Sequence, residues 1–310
     1  MSLARAALTA MLCLAPLANP ALAQEAAGEP TEEQTTAALK FSMNYATSIM
    51  YHEIGHMLVG ELGLPVLGKE EDAADSLAAI LMLDDETAPD SWDALINSAD
   101  GWYFSATHTT GTTIEDFSYY DEHSLDIQRA YAMVCMMVGK EPDYFSLVAE
   151  AYELDQDRID GCAYTYQQAA GAWDMLLTPH KVDGEEGVPI KIVYDDGGDY
   201  QYFADVAKEH KLLEKAAALV MSKYVIPREV TFRGGLCGEA NAYYSSSDAE
   251  VTFCYEMAAD TYNLFINDIA PLYAEGELSG GEEASAEEAG TEEEEGGEAQ
   301  TAFTLESWPW

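Results

Sequence analysis

Basic residues are scarce in this chain: 14 Lys and Arg stand against 57 Asp and Glu, giving a formal charge of −43 over 310 residues. So acidic a molecule repels polyanions, which excludes nucleic acid and anionic membrane surfaces as expected partners. Beyond the first residues there is no apolar run long enough to cross a bilayer. No Cys-x-x-Cys spacing occurs, so a cysteine-built zinc site is not expected. No strong internal repeat is present either. Apolar residues still make up 48% of the chain, enough for a buried core, and a wholly disordered protein is excluded. The acidity reads most simply as solubility.

The N-terminus has the make-up of an export signal. Arg5 is the only charge before Glu25, an apolar stretch runs from Ala6 to about Leu17, and Ala21-Leu22-Ala23 offers small residues for cleavage. Residues 1–23 are therefore expected to be removed, leaving a periplasmic or secreted protein with no membrane span. Cys135, Cys162, Cys237 and Cys254 would remain. Four cysteines in an exported chain favour disulfides, in any of three connectivities. Local pairing, Cys135 with Cys162 and Cys237 with Cys254, is expected because each pair falls within one segment.

Residues 24–36 are small and acidic and read as a flexible leader before a domain over 37–273. Helical spacing of Leu39, Met43, Ala46, Met50 and Met57 predicts a helix from Thr35 to about Leu62, broken by Gly60, Gly63 and Pro65. A second helix is predicted over Lys69–Leu83. The stretch 90–120 is mixed, with Trp92, Trp102, Tyr103 and Phe104 suggesting packing under loops. Further helices are predicted over Asp121–Val138, capped by Gly139, then Pro142–Leu154, Asp157–Leu177, Phe203–Tyr224 and Glu256–Leu272. Ile190–Tyr194, Glu229–Phe232 and Glu250–Tyr255 read as strands. Residues 274–302 are almost all Glu, Gly, Ala, Ser and Thr, an acidic tail that cannot build a core. An aromatic segment, 303–310, ends the chain in Trp308-Pro309-Trp310 and could dock on the body or fray.

One constellation carries chemistry. His52 and His56 are four residues apart, so on a helix they lie on one face, where both imidazoles can reach a single metal ion. Glu53 lies beside them, placed to take a proton from a water that such an ion activates. The flanks Ile49, Met50, Ile54, Gly55, Met57 and Leu58 are uncharged, so this helix reads as buried, and burying two histidines and a glutamate without partners is costly. Two histidines need a third protein ligand. Glu71 and Asp75, also four apart, could serve as ligand and as acceptor of an imidazole N–H; they could equally be solvated carboxylates near a helix N-terminus. Glu70 is a rival to Glu71 because it faces the side of Ala74, Leu77 and Leu81.

His52-Glu53-x-x-His56 followed by Glu71-x-x-x-Asp75 is similar to the gluzincin pattern of zinc metallopeptidases. More closely, the chain resembles a family of exported bacterial proteins of unknown function regarded as metallopeptidases. The matching segments are His52–Ala78, Asp121–Arg129, Cys237, Asn241–Tyr243 and Cys254–Glu256, within a span of roughly Ala38 to Tyr273. The resemblance implies that His52, His56 and Glu71 hold zinc, that Asp75 supports a ligand imidazole and that Glu53 is the general base. A donor for the oxyanion is also required; His123 is the first candidate, with Tyr243 and Tyr255 behind it. Asn241 could simply shape a turn, and His108, His180 and His210 belong to no constellation.

These readings converge on a mainly helical α+β fold, with a zincin-like core and a small antiparallel strand pair near Cys237–Tyr255. The expected function is zinc-dependent hydrolysis of a peptide or protein substrate. The competing expectation is a catalytically silent zinc-binding or interaction protein of the cell envelope.

Overall fold

The structure, a computed structural model, describes residues 29–84, 90–107, 121–184 and 187–275. The expected signal peptide, the acidic tail, the terminal Trp308-Pro309-Trp310 and His108 lie outside these residues. No described helix is long and apolar enough to cross a membrane.

A 31-residue helix, α1 (Glu32–Leu62), runs through the centre of the molecule. It starts three residues earlier than the apolar spacing predicts. Thr31 and Gln34 form a capping box that satisfies two otherwise orphaned backbone N–H groups and nucleates the extra turn. From Phe41 to Val59 nearly every α1 residue is buried, so this helix is covered on several sides.

Its cover comes from α2 (Glu70–Met82), α3 (Asp90–Thr107) and α9 (Tyr255–Leu264), with α4 (Asp126–Lys140) packed on α3 and α6 (Gln156–Leu177) packed on α4. The short α5 (Ser146–Ala151) joins α4 to α6. α3 lies in the mixed 90–120 stretch. Its face carries Asn97, Ser98 and Asp100, all buried, and these polar residues mask the helical period. The predicted single helix over Phe203–Tyr224 is two, α7 (Gln201–Glu209) and α8 (Leu212–Lys223), separated by Lys211 at φ 54°. After α9 the chain passes through a π-helical turn, Phe265–Ile269, into α10 (Ala270–Glu275).

Among the described residues four strands form a sheet: β1 (Lys191–Tyr194), β2 (Thr231–Gly235), β3 (Ala242–Ser245) and β4 (Glu250–Cys254), in the order β1-β2-β4-β3. The expected antiparallel pair is present as β3 with β4, within Cys237–Cys254. The segments predicted as strands around 229–232 and 250–255 instead pair in parallel, Phe232 opposite Val251, which enlarges the sheet beyond a hairpin.

The sulfurs pair as expected, Cys135 with Cys162 and Cys237 with Cys254. Gly139 does not cap α4; it lies within the helix, and a Cβ there would fall 2.3 Å from the Cys162 carbonyl oxygen. The glycine lets α4 and α6 approach closely beside the disulfide that joins them. Disulfides of this kind match an oxidising compartment.

Candidate metal centre

The crossing of α1 and α2 builds the site. At Gly55 a Cβ would lie 3.0 Å from the Cα of Ala74, so the two backbones nearly touch at that point. The residues nearly one turn before the contact, His52 and Glu71, and those directly after it, His56 and Asp75, then face each other across the crossing.

They meet closely. His52 Nε2 is 3.1 Å from Glu71 Oε2, His56 Nε2 is 3.2 Å from the same oxygen, and the two nitrogens are 3.1 Å apart. His123 comes to the same point from the segment before α4, its Nε2 2.9 Å from Glu71 Oε2. His52, Glu71 and His123 each present a donor atom within 4.8 Å of the others.

The far side of each ring is also held by a carboxylate. His52 Nδ1 lies 2.7 Å from Asp75 Oδ1, His56 Nδ1 lies 2.9 Å from Glu70 Oε1, and His123 Nδ1 lies 3.3 Å from Asp121 Oδ1. A carboxylate at Nδ1 fixes the proton there and leaves Nε2 as a lone pair. Three lone pairs then converge on a carboxylate oxygen that is itself electron-rich. Such a cluster repels itself unless a cation sits among the donors.

The electrostatics of the chain point the same way. Burial works against a charge on His52, but the hydrogen bonds with Asp75 and Glu71 outweigh it and push its pKa up to about 9. His56 and His123 are raised as well, the former against its burial, the latter chiefly by Glu71. Burial would raise Glu71, yet the three imidazoles hold it far below the usual carboxylate range. Positive charge at this point, whether from a proton or from another cation, is favoured by the carboxylates around it. The distances fit a metal too: donors about 2.0–2.1 Å from a tetrahedral ion stand about 3.3 Å apart.

Glu53 is 5% exposed, and burial raises its pKa against the pull of His52 and His56. A raised carboxylate beside a cation site suits a group that must take and return a proton.

Sequence reasoning missed Arg129. It clamps Asp75 through Nε and Nη2, each 2.8 Å from one carboxylate oxygen, and it is buried. The only sign of it in the sequence is its place at the end of the Asp121–Arg129 segment. Asp75 is consequently held well below its ordinary pKa against its burial.

The choice between Glu70 and Glu71 is made by the crossing geometry. Glu71 aims at the Nε2 atoms, whereas Glu70 reaches only the back of His56. Of the other candidates, Tyr255 is buried and its hydroxyl donates to the carbonyls of Gly234 and Asp195 within the sheet. Tyr243 is an exposed residue of β3. Asn241 accepts from the backbone of Ala242 and bonds Glu239, shaping the entry to β3. His180 ends a short turn and His210 ends α7; neither joins the site.

No curated protein and no solved structure matches the chain. A family described as "Putative metallopeptidase" matches residues 11–177 and 196–277, which include all the residues of this centre. The chain belongs to that metallopeptidase family, whose name implies a metal, and His52, Glu71 and His123 form a group that could hold one.

Proposed function

We propose that the protein is a zinc-dependent peptidase of gluzincin type, in which His52, His56 and Glu71 hold the ion. The observation that carries this reading is the triangle of His52 Nε2, His56 Nε2 and Glu71 Oε2, with sides of 3.1, 3.1 and 3.2 Å. Two neutral imidazoles and a carboxylate are a usual zinc donor set, and calcium or magnesium would call for more oxygen.

Zinc in such a site polarises a carbonyl and eases the ionisation of water. The chain supplies the rest. Glu53 accepts a proton from the attacking water, whose oxygen bonds to the carbonyl carbon. When the C–N bond breaks, Glu53 returns that proton to the departing nitrogen. His123, when protonated on both ring nitrogens, can donate through Nε2 to the negative oxygen of the tetrahedral stage. Asp75 keeps the proton of His52 on Nδ1, so that Nε2 always faces the ion. Export after removal of residues 1–23 would place the enzyme in the periplasm or outside the cell, where its disulfides are stable.

A second reading, a site that holds zinc without turnover, draws on one observation: His123 brings a further donor to the cluster, and closed four-donor sites are structural. Purified protein separates the two. Elemental analysis should give one zinc per chain, and a broad peptide library should be cleaved in a chelator-sensitive, zinc-restored manner. Glu53→Gln should lose about 10²–10⁴-fold in kcat with zinc retained. Zinc without cleavage of any peptide supports the silent reading; folded protein without stoichiometric metal removes both.

A further inference from the structure

His123 is built into the cluster in the same way as His52 and His56. In all three rings Nδ1 faces a carboxylate and Nε2 faces Glu71 Oε2, at 3.1, 3.2 and 2.9 Å for His52, His56 and His123. The His123 ring also stacks on that of His52, with centroids 6.4 Å apart and planes 23° apart. A carboxylate at Nδ1 suits a hydrogen-bond donor as well as a ligand; what marks His123 as a donor to the same point is its Nε2, aimed at the Glu71 oxygen that the other two rings share.

The segment that carries it is tied down at several points. Lys69 Nζ donates to the carbonyls of Asp121 and His123, at 3.3 and 2.9 Å. Ser124 Oγ donates to Asp72 Oδ1 at 2.6 Å, and the His123 backbone N–H donates to Asp121 Oδ1 at 2.9 Å. Both Lys69 and Asp72 belong to the start of α2, the helix that supplies Glu71. His123 is thereby set in place together with the third ligand.

Yet it is the least protected of the three. Its side chain is 48% exposed, against 6% for His52 and 14% for His56. The other two rings stand on a central helix, whereas His123 stands on a non-helical segment held by surface contacts.

We infer that His123 is a fourth protein ligand of the ion held by His52, His56 and Glu71, and that it is a displaceable one. The inference rests on the reading of those three as ligands. With four protein donors the resting site is closed, and catalysis needs one position open. Substrate therefore enters by displacing His123, whose freed Nε2 takes up a proton from solvent, to which the side chain is open, and the resulting imidazolium can donate to the oxyanion. The silent and active readings become two states of one site.

Cobalt(II) is a suitable probe, since its visible absorption reports the number and kind of its ligands. Full-length mature protein, His123→Ala, His123→Gln and a His52→Ala control would each be titrated with cobalt and then with a chelator. The exposed position of His123 leaves the core untouched, and circular dichroism checks the fold. The expected result is one cobalt per wild-type chain with a four-coordinate spectrum. Both His123 variants should keep one cobalt, with a changed spectrum and a dissociation constant raised at least tenfold. They should also bind acetohydroxamate, a bidentate chelating inhibitor, more tightly than wild type, because their site stands open. Unchanged spectrum and affinity in both variants, while His52→Ala loses the metal, would overturn the fourth ligand and leave the three-ligand site standing. Wild type that takes up no cobalt or zinc would overturn both.

Discussion

Arg129 holds both oxygens of Asp75, through two hydrogen bonds of 2.8 Å, while its guanidinium lies 3.7 Å over the ring of Trp102. Packed between a carboxylate and an indole, the fork cannot turn, so Asp75 cannot turn, and the ring of His52 is fixed at second hand. A lysine at this position would keep the charge but offer a point rather than a fork. Arg129→Lys and Asp75→Asn are each expected to weaken metal binding by about 10–100-fold, the usual effect of losing support behind a ligand histidine. Competition with a chelator measures it. Affinity equal to wild type in both variants would mean that His52 needs no such anchor.

Glu70 and Glu71 are adjacent in sequence but do different work. Glu71 Oε2 is shared by three imidazoles, whereas Glu70 Oε1 touches only His56 Nδ1 and is half-exposed. Glu71→Gln should weaken metal binding well beyond the roughly 10–100-fold that loss of a supporting group costs. Glu70→Gln should cost at most about tenfold, because the His56 ring is also held by its helix. Calorimetric titration of both variants with zinc decides it; the reverse order would make Glu70 the ligand.

The approach of α2 to α1 at Gly55 leaves no room for a branched side chain, since even a Cβ would meet the Ala74 Cα at 3.0 Å. Gly55→Val should push α2 outward, carrying Glu71 and Asp75 away from the histidines. A loss of about 1–3 kcal/mol in stability is expected from overpacking, together with weaker metal binding. Denaturant titration and zinc titration read the two effects separately. Full metal affinity in this variant would show that the site does not depend on the crossing.

A second buried carboxylate makes stability depend on pH. Asp100 on α3 is fully buried and accepts from the Tyr152 hydroxyl at 2.9 Å. Burial pushes its pKa up to about 7, with the tyrosine pulling the other way. The folded protein thus binds this proton more tightly than the unfolded chain does. The benefit is complete below about pH 4 and is lost as pH rises through about 7, above which a buried charge must be tolerated. Asp100→Asn keeps a partner for Tyr152 and cannot ionise. Its Tm should exceed that of wild type at about pH 8, with the gap closing towards about pH 4. A gap that does not change with pH would refute the assignment.

Much of this centre is legible in one dimension. Four-residue spacing on α1 puts His52 and His56 on one face whatever surrounds them, and the same spacing joins Glu71 to Asp75. The uncharged flanks of the His52 turn foretell its burial, and the short separations within the cysteine pairs foretell their bonding. Helix α3 is hidden because buried Asn97, Ser98 and Asp100 interrupt the apolar period that betrays a helix, and the partners of Asn97 and Asp100, namely Asn44 and Tyr152, come from elsewhere in the chain. β3 is legible only as half of an antiparallel pair near Cys237–Tyr255; its bounds are obscured by its brevity, four residues on the edge of the sheet.

Donor chemistry and the spacing within each helix can be read along one chain segment, because they follow from its rise and turn. Which donors share one point depends on how the helices cross. The contact of Gly55 with Ala74 selects Glu71 over Glu70, the Lys69 and Ser124 tethers bring His123 over the same oxygen, and Arg129 reaches Asp75 from 54 residues away. Periodicity says which residues of a helix look the same way; it carries no information about what they look at. That depends on how closely two backbones can approach.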